Sequence, residues 1–498
     1  MTPGTGTGVP DGPAIVWFRR DLRLADLPTL LAAADGSRTA IAVFVLDPAL
    51  LGPAGSPRLA FLGGCLCALD TDLGGRRLLV RGDPVRVIPA LAEAARAGAV
   101  HVSADFGPYG ARRDDAVEHA LAAAGRVPLV RTGSPYAVTP GRLHTRAGEP
   151  YKVFTPFRRA WLEHGWHSPA RTGAGTLQWR DPAGLPGRIG IGDAVRMLTD
   201  GGRDGADDAP HLPAPGEAAA LRRWCTFREN ADGALDRYGS DRDRPDLHAT
   251  TRLSPYLKFG CIHPRTVLHD LHARTDSGAA VLRSELAWRD FYGDVLFHRP
   301  DTARRNYNTK FDALRHDSGP GADADFAAWC DGRTGYPIVD TGMRQLRAEG
   351  WMHNRVRMIT ASFLTKDLHL PWWRGARHFM THLVDGDLAS NQHGWQWTAG
   401  CGTDAAPYFR VFNPTVQGER FDPTGDYVRR WVPELRGIPG KAVHRPWARE
   451  HTLELGLDDG GAGRGDAAGA PGTGGRYPPP IVDHAEERRV ALARYGAL

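Results

Sequence analysis

The 498-residue sequence contains no run of 18 apolar residues, so no membrane-spanning helix is expected. Cysteine is scarce. Six residues, at positions 65, 67, 225, 261, 330 and 401, are too few for a disulfide framework and show no paired metal-ligand spacing. No metal site is therefore expected, and reduced thiols point to a cytoplasmic protein. The net charge is only +5, so any surface for a polyanion must be a local patch. The opening MTPGTGTGVPDGP has no basic segment ahead of an apolar core, which argues against a secretory signal. No GxGxxG follows the first strand candidate, and Cys65 and Cys67 are one residue apart rather than CxxC. Both absences argue against a nicotinamide-linked or dithiol oxidoreductase.

What is present is an apolar content of 42%, ample for more than one cored domain. Residues 1–12 read as a flexible tail. Residues 13–140 alternate strand and helix signals, with strands at Ala14–Phe18, Ala40–Leu46, Arg77–Val80, Ala99–Ser103 and Pro128–Arg131 and helices such as Ala90–Gly98 and Ala116–Gly125. That order predicts an α/β domain built on a doubly wound, Rossmann-like parallel sheet. Residues 141–215 read as an interdomain linker, rich in Gly, Pro and Asp from 170 onward. Residues 216–450 keep a helical pattern and predict an all-α domain. The segment 451–498 contains a low-complexity insert, 458–475, expected to be disordered. Ten of the 14 tryptophans lie after residue 220, which raises the question whether they serve only as core.

Three segments carry candidate chemistry. In ATTRLSPYLKFG (249–260), Ser254 before Pro255 reads as a helix N-cap, and Thr250, Thr251 and Ser254 set hydroxyls beside free amides, as at a phosphate-binding helix start. Taken alone, such a motif is more often a capped helix with no ligand. Between 340 and 380 there are seven Arg or Lys against three Asp or Glu. There Asn354 and Met358 share a helix face beside Arg355, with Arg357 a turn after His353. Interleaved with Trp351, Trp372 and Trp373, this face suits base stacking with phosphate contact; the plain alternative is a solvated basic face over core tryptophans. In DGDLASNQHGWQW (385–397), Asp385 can pair with Arg357, Asn391 hydrogen-bonds without titrating, and Trp395 and Trp397 can set one ring inward and one toward a cavity.

With SELAWRDFY, TGYPIVD, GWMHNRVRMITASFL and GTDAAPYFRVFNPT, these segments closely resemble the photolyase/cryptochrome family, and within it the class I enzymes for cyclobutane pyrimidine dimers. The similarity runs from VWFRRDLRL to YPPPIVDH. The resemblance implies a carbon–carbon lyase whose helical domain binds FAD, active as reduced FADH⁻. Light-driven electron transfer from it would split a flipped-out dimer in UV-damaged DNA. Tyr238, Thr250, Thr251, Arg252, Leu253 and Ser254 match positions that hold the FAD phosphates and ribityl chain. Asn354, Arg357, Asp385, Asp387 and Asn391 match those around its rings. Arg242, Glu285, Trp288, Asn354, Arg355, Met358, Trp397 and Gln417 match lesion and DNA contacts. Glu285 would steady charge on the dimer, and Asn391 would face the flavin N5. Trp395 and Trp372 match the inner members of a tryptophan chain that reduces oxidised flavin under light.

The sequence departs from the family in places. His316 stands where the outer tryptophan is expected, which turns attention to Trp373 or another ring. Leu282 replaces an aromatic. Asp26-Leu27 replaces the usual Asp-Asn. The Asn–Glu pair of folate-binding members is missing, whereas Asp105 and Lys258 match deazaflavin-binding members. This favours 8-hydroxy-5-deazaflavin over methenyltetrahydrofolate as a second, antenna chromophore. A monomer is expected. The rival readings are a cryptochrome-like blue-light photoreceptor, against which Asn391 argues, and a (6-4) photolyase, which resembles this chain but carries histidines at Asn354 and Met358. A passive single-strand binder, a third rival, would have no use for FAD.

Overall fold

The computed structural model describes residues 12–199, 210–230, 232–407, 410–448 and 476–498. Nearly all of the 1–12 tail, positions 200–209 of the expected linker and the whole 458–475 insert lie outside the described residues. The chain forms two compact units: Met1–Gly239 with Thr250–Arg305 and Phe379–His393, and Ser240–Ala249 with Asn306–His378 and Gly394–Leu498.

The first unit is built on a parallel sheet of β1 (Ala14–Phe18), β2 (Thr39–Leu46), β3 (Arg77–Arg81), β4 (Ala99–Val102) and β5 (Leu129–Arg131), in the order β3-β2-β1-β4-β5. β1 is central, with Val16 in register with Ala42 of β2 and His101 of β4. Helices cover both faces, so strands such as AIVWF and TAIAVFVL are apolar without alternation. Ile15, Val43, Leu78 and Val100 pack with Val117 and Leu121 of the helix Pro108–Gly125 into one core. The winding order reverses beside β1, which opens a crevice at the carboxyl ends of β1 and β4. All five strand candidates occur, with ends shifted by a residue or so.

The stretch 141–215 is more ordered than its composition suggests. It carries the helix Phe154–His164, a sixth strand β6 (Gln178–Trp179) parallel to β2, and the helix Ile191–Thr199. Burial of Phe154, Phe157, Trp161 and Trp179 outweighs the Gly and Pro around them. The helices Glu217–Glu229, Ser254–Phe259, Pro264–Asp270 and Ser277–His298 fall in this same unit rather than dividing from it at 215/216. Ser254 is not a cap. It is the first helical residue, Leu253 stands at the cap position without a side-chain bond, and the helix has only six residues before Gly260 ends it at φ +69°.

The second unit is helical. Its elements include Pro320–Asp331, Pro337–Glu349, Asn354–Ser362, Pro414–Phe421, Asp426–Trp431 and His484–Gly496. Three of these begin with proline, whose missing amide costs nothing in a first turn. Asn354–Ser362 runs on into a π-helical turn, Phe363–Asp367. Asp340, fully buried, accepts from the Thr334 and Gly335 amides at 2.7 and 3.0 Å and from the Thr334 hydroxyl at 2.6 Å, pinning the loop before its helix. Among the described residues, no helix is long and apolar enough to cross a membrane.

Candidate active site

In the first unit, the Thr250 and Thr251 carbonyls of the segment 250–254 are already occupied. Arg223 donates from Nε to the Thr251 carbonyl (2.9 Å) and from Nη2 to the Thr250 carbonyl (3.2 Å). Arg252 takes a left-handed backbone, φ +50°, and its charge adds to burial in lowering the Arg223 pKa. Two guanidinium groups beside two threonine hydroxyls form a donor set that fits a pyrophosphate. Tyr238 is buried, edge-on to Phe227 at 5.9 Å.

The acidic segment is held as tightly. Asp385 is buried, and its charge opposes the burial that lowers Arg58 to about 10. Gly386 lets Arg58 approach: a Cβ there would lie 2.6 Å from its Nη1. Asp387 accepts from Arg20 Nη2 at 2.6 Å and lies 3.9 Å from Lys258 Nζ. Burial alone would raise its pKa, but Arg20, Lys258 and Arg289 hold the carboxyl well below the usual range. The Asp387 carbonyl accepts from the Asn391 amide at 2.8 Å, and Asn391 Nδ2 donates to Gln392 Oε1 at 2.8 Å, which orients the side-chain amide. Arg357 lies in the second unit, where its Nε donates to the Met352 carbonyl at 2.8 Å.

Asp387 thus lies beside Lys258, the residue expected to bind an antenna, whose pKa burial and Arg20 push down to about 7 against the pull of Asp387. Asp105, the other antenna candidate, accepts from the Gly107 amide at 3.1 Å and lies 3.3 Å from Arg113. Burial would raise it, yet Arg19, Arg20 and Arg113 keep it ionised. Asp105 shares with Arg19, Arg20, Ser103 and Ser134 a crevice at the carboxyl ends of the strands. Arg19 and Arg20 are missing from the site residues read from sequence. Their signal was present: two arginines directly after the first strand.

Glu285 and Trp288 lie three apart on the helix Ser277–His298 and so share a face. Trp288 stacks on Phe154, with centroids 3.6 Å and planes 10° apart, and meets Tyr292 at 5.4 Å. Nothing in the linker composition marked Phe154.

In the second unit, His353 caps the helix that begins at Asn354, its Nδ1 accepting from the Arg355 amide at 3.2 Å. Burial pushes His353 down to about 4, so the cap is a neutral ring. Arg355 pairs with Asp243 at 2.6 Å, crosses the Phe421 ring at 4.6 Å and reaches Met358 Sδ at 3.8 Å. Arg242 Nε lies 3.9 Å from the same Asp243. Gln417 sits in the helix Pro414–Phe421, capped by the Asn413 side chain. Trp395 is buried 6.1 Å from Trp329, and Trp397 is half-buried. Trp372 is buried, donating to Asn306 Oδ1 at 2.8 Å. Its ring meets Trp373 at 6.0 Å, and Trp373, 41% exposed, meets His316 at 5.5 Å.

Residues 14–174 match the family model described as DNA photolyase, and residues 281–497 match the FAD binding domain of DNA photolyase. The chain is 39% identical to the deoxyribodipyrimidine photo-lyase of Streptomyces griseus, covering 95% of this chain and 97% of that protein. It belongs to the DNA photolyase family. It is accordingly an enzyme, a flavoprotein lyase with an α/β domain and a helical FAD-binding domain. Among solved structures, a bacterial class III photolyase from Agrobacterium tumefaciens superposes with a TM-score of 0.84 at 37% identity, covering 99% of each chain. A cryptochrome from Synechocystis sp. PCC6803 gives 0.82 at 26% identity, covering 97% of this chain and 98% of that one.

Proposed function

We propose that the chain splits cyclobutane pyrimidine dimers in UV-damaged DNA under light. The observation that carries this reading is the Glu285–Trp288 face, with the Trp288 ring plane set by Phe154. A dimer is poorly stacked and so is cheap to flip out of the duplex. Trp288 and Trp397 each offer a ring face to a flipped base, and Glu285 hydrogen-bonds a base edge. Arg242, Arg355 and Gln417 contact the DNA strand, and Asn354 and Met358 line the lesion side. FAD, when bound and reduced, supplies the light-driven electron that opens the dimer. The chain's own part is to hold that cofactor: Tyr238 and 250–254 in the first unit take its phosphates and ribityl chain. By the resemblance, Asn354, Arg357, Asp385, Asp387 and Asn391 take its rings. Trp395 and Trp372 relay electrons, and Trp373 replaces the outer tryptophan that His316 displaces. Asp105 and Lys258 bind an antenna, 8-hydroxy-5-deazaflavin in preference to methenyltetrahydrofolate. The protein acts as a cytoplasmic monomer, with boundaries of function near 13–140 and 216–450.

Class I membership rests on the motif resemblance; the likeness to the Agrobacterium structure favours class III instead. The likeness to a cryptochrome favours a photoreceptor as second reading, against which Asn391 stands. The deciding experiment incubates the purified flavoprotein with an oligonucleotide carrying one cyclobutane thymine dimer, in light and in darkness. Dimer loss in light alone is the expected result. Loss only from a (6-4) lesion would move the substrate, and loss from neither would leave the photoreceptor reading.

A further inference from the structure

We propose that Cys65 and Cys261 are a peroxide-convertible thiol pair, closing to a disulfide inside the first unit. Cys65 lies midway along the helix Ser56–Asp72, and Cys261 directly follows the turn that ends Ser254–Phe259. The two positions are 196 residues apart in sequence, yet their Sγ atoms are 3.5 Å apart. Both thiols are free and wholly buried. A disulfide needs about 2.05 Å, so side-chain rotation with a small shift of the helix closes the gap.

A second feature supplies access. A cavity of about 160 Å³ reaches Cys261, walled by Arg23, Asp26, Thr172, Glu217 and His263. Charged groups of Arg23, Asp26 and Glu217 stand on an otherwise mostly apolar wall and give water partners, and the volume holds several waters. Hydrogen peroxide, a polar molecule little larger than water, fits the same space. Cys65 is not part of that wall, and burial together with Cys261 pushes its thiol pKa upward. The order of events follows. The Cys261 sulfur attacks one peroxide oxygen, the O–O bond breaks, and the thiol proton leaves with the departing oxygen as water. This forms a sulfenic acid on Cys261. The Cys65 sulfur then attacks the Cys261 sulfur, the S–O bond breaks, and the Cys65 proton leaves with the hydroxyl as a second water. The thiol pair loses two hydrogens and two electrons, and one peroxide becomes two waters.

The bond would brace two supports of the site. Arg58, on the Cys65 helix, donates to the Met380 carbonyl beside Asp385. Cys261 follows directly on the segment 250–260. This consequence rests on the proposed flavin site, whereas the cross-link itself does not.

The test treats the dark flavoprotein with hydrogen peroxide, alkylates remaining thiols in denaturant, and maps non-reduced peptides by mass spectrometry. A peptide joining Cys65 to Cys261, two hydrogens lighter than its parts and released by dithiothreitol, is expected. It should vanish in Cys65→Ser and Cys261→Ser and persist in Cys67→Ser, since Cys67 is exposed. In the wild type, Cys65 and Cys261 should lose alkylation at one common rate, a readout that holds even if a serine variant fails to fold. Oxidation of Cys67 alone, or of Cys261 to a sulfinic acid with Cys65 still alkylated, would overturn the proposal. Slower heat-induced release of flavin from the cross-linked protein would support the brace. Unchanged release with the cross-link present would remove the brace and leave the pair.

Discussion

Phe154 lies flat against Trp288, with ring centroids 3.6 Å apart and planes only 10° apart. Aromatic pairs usually settle offset or edge-on, and such contacts contribute about 0.5–1.5 kcal/mol beyond the area they bury. Phe154 covers one face of the indole and fixes the ring plane.

Trp288→Ala is expected to weaken binding of dimer-containing DNA by about 1–3 kcal/mol, the worth of one base–aromatic stack, with FAD retained. Phe154→Leu keeps apolar volume but removes the flat support, and should cost about 0.5–1.5 kcal/mol of the same affinity. Binding titrations with damaged and undamaged duplexes separate these effects. Affinity retained in Trp288→Ala would take Trp288 out of the lesion site.

The contacts of Trp373 place it where the proposed outer electron-transfer ring would stand. It is 41% exposed and lies between Trp372 and His316, at 6.0 and 5.5 Å. Burial draws the His316 pKa below its ordinary value, so the imidazole is neutral near pH 7, and neutral imidazole carries a hole poorly compared with indole. Trp373→Phe should slow flavin photoreduction in the presence of an external reductant, and His316→Ala should leave it close to wild type. The reverse ranking would assign the outer position to His316.

Gly375 sits one turn beyond Trp372 in the helix Trp372–His382. Alanine normally stabilises a helix interior by about 1 kcal/mol over glycine. Here its Cβ would lie 2.1 Å from Trp395 Cη2 and 2.6 Å from Leu364 Cδ2. Gly375→Ala is therefore expected to destabilise by about 1–3 kcal/mol through overpacking, with altered tryptophan fluorescence. Urea unfolding reads the sign directly; a stabilised variant would mean that the Trp395 ring shifts at no cost.

Lys258 yields a prediction in pH. Its folded pKa, pushed down to about 7 by burial and Arg20, lies below the unfolded value near 10.4. The penalty of carrying its charge is full below pH 7 and fades as pH rises to about 10.4, because the unfolded chain binds more protons across that window. Lys258→Met, with Arg20 still paired to Asp387, should melt above wild type at pH 7, by a margin that narrows toward pH 10. Melting curves at the two pH values check this, and a margin independent of pH would count against a charged, half-buried lysine.

Much of the fold was legible before any coordinates. Strands such as AIVWF announce themselves because a sheet covered on both faces needs unbroken apolar runs, and TTRLSPYLKFG and DGDLASNQHGWQW carry long, specific resemblance. The stretch 141–215 was misleading because Gly, Pro and Asp dominate its composition, while its order comes from Phe154, Phe157 and Trp161 finding partners far away in the chain. Ser254 read as a cap because the Ser-Pro signal describes a helix start to within a residue, and only backbone geometry placed Leu253 there.

The sequence alone determined the family, the parallel α/β sheet and the helical remainder, and it nominated the candidate site residues apart from Arg19, Arg20 and Phe154, since these depend on local pattern and motif. The tertiary structure decided the pairings. Asp387 with Arg20 and Lys258, Trp288 with Phe154, Trp373 with His316 and Cys65 with Cys261 each join positions distant in sequence. No periodicity encodes such contacts; they follow from which surfaces must be buried together when the chain closes.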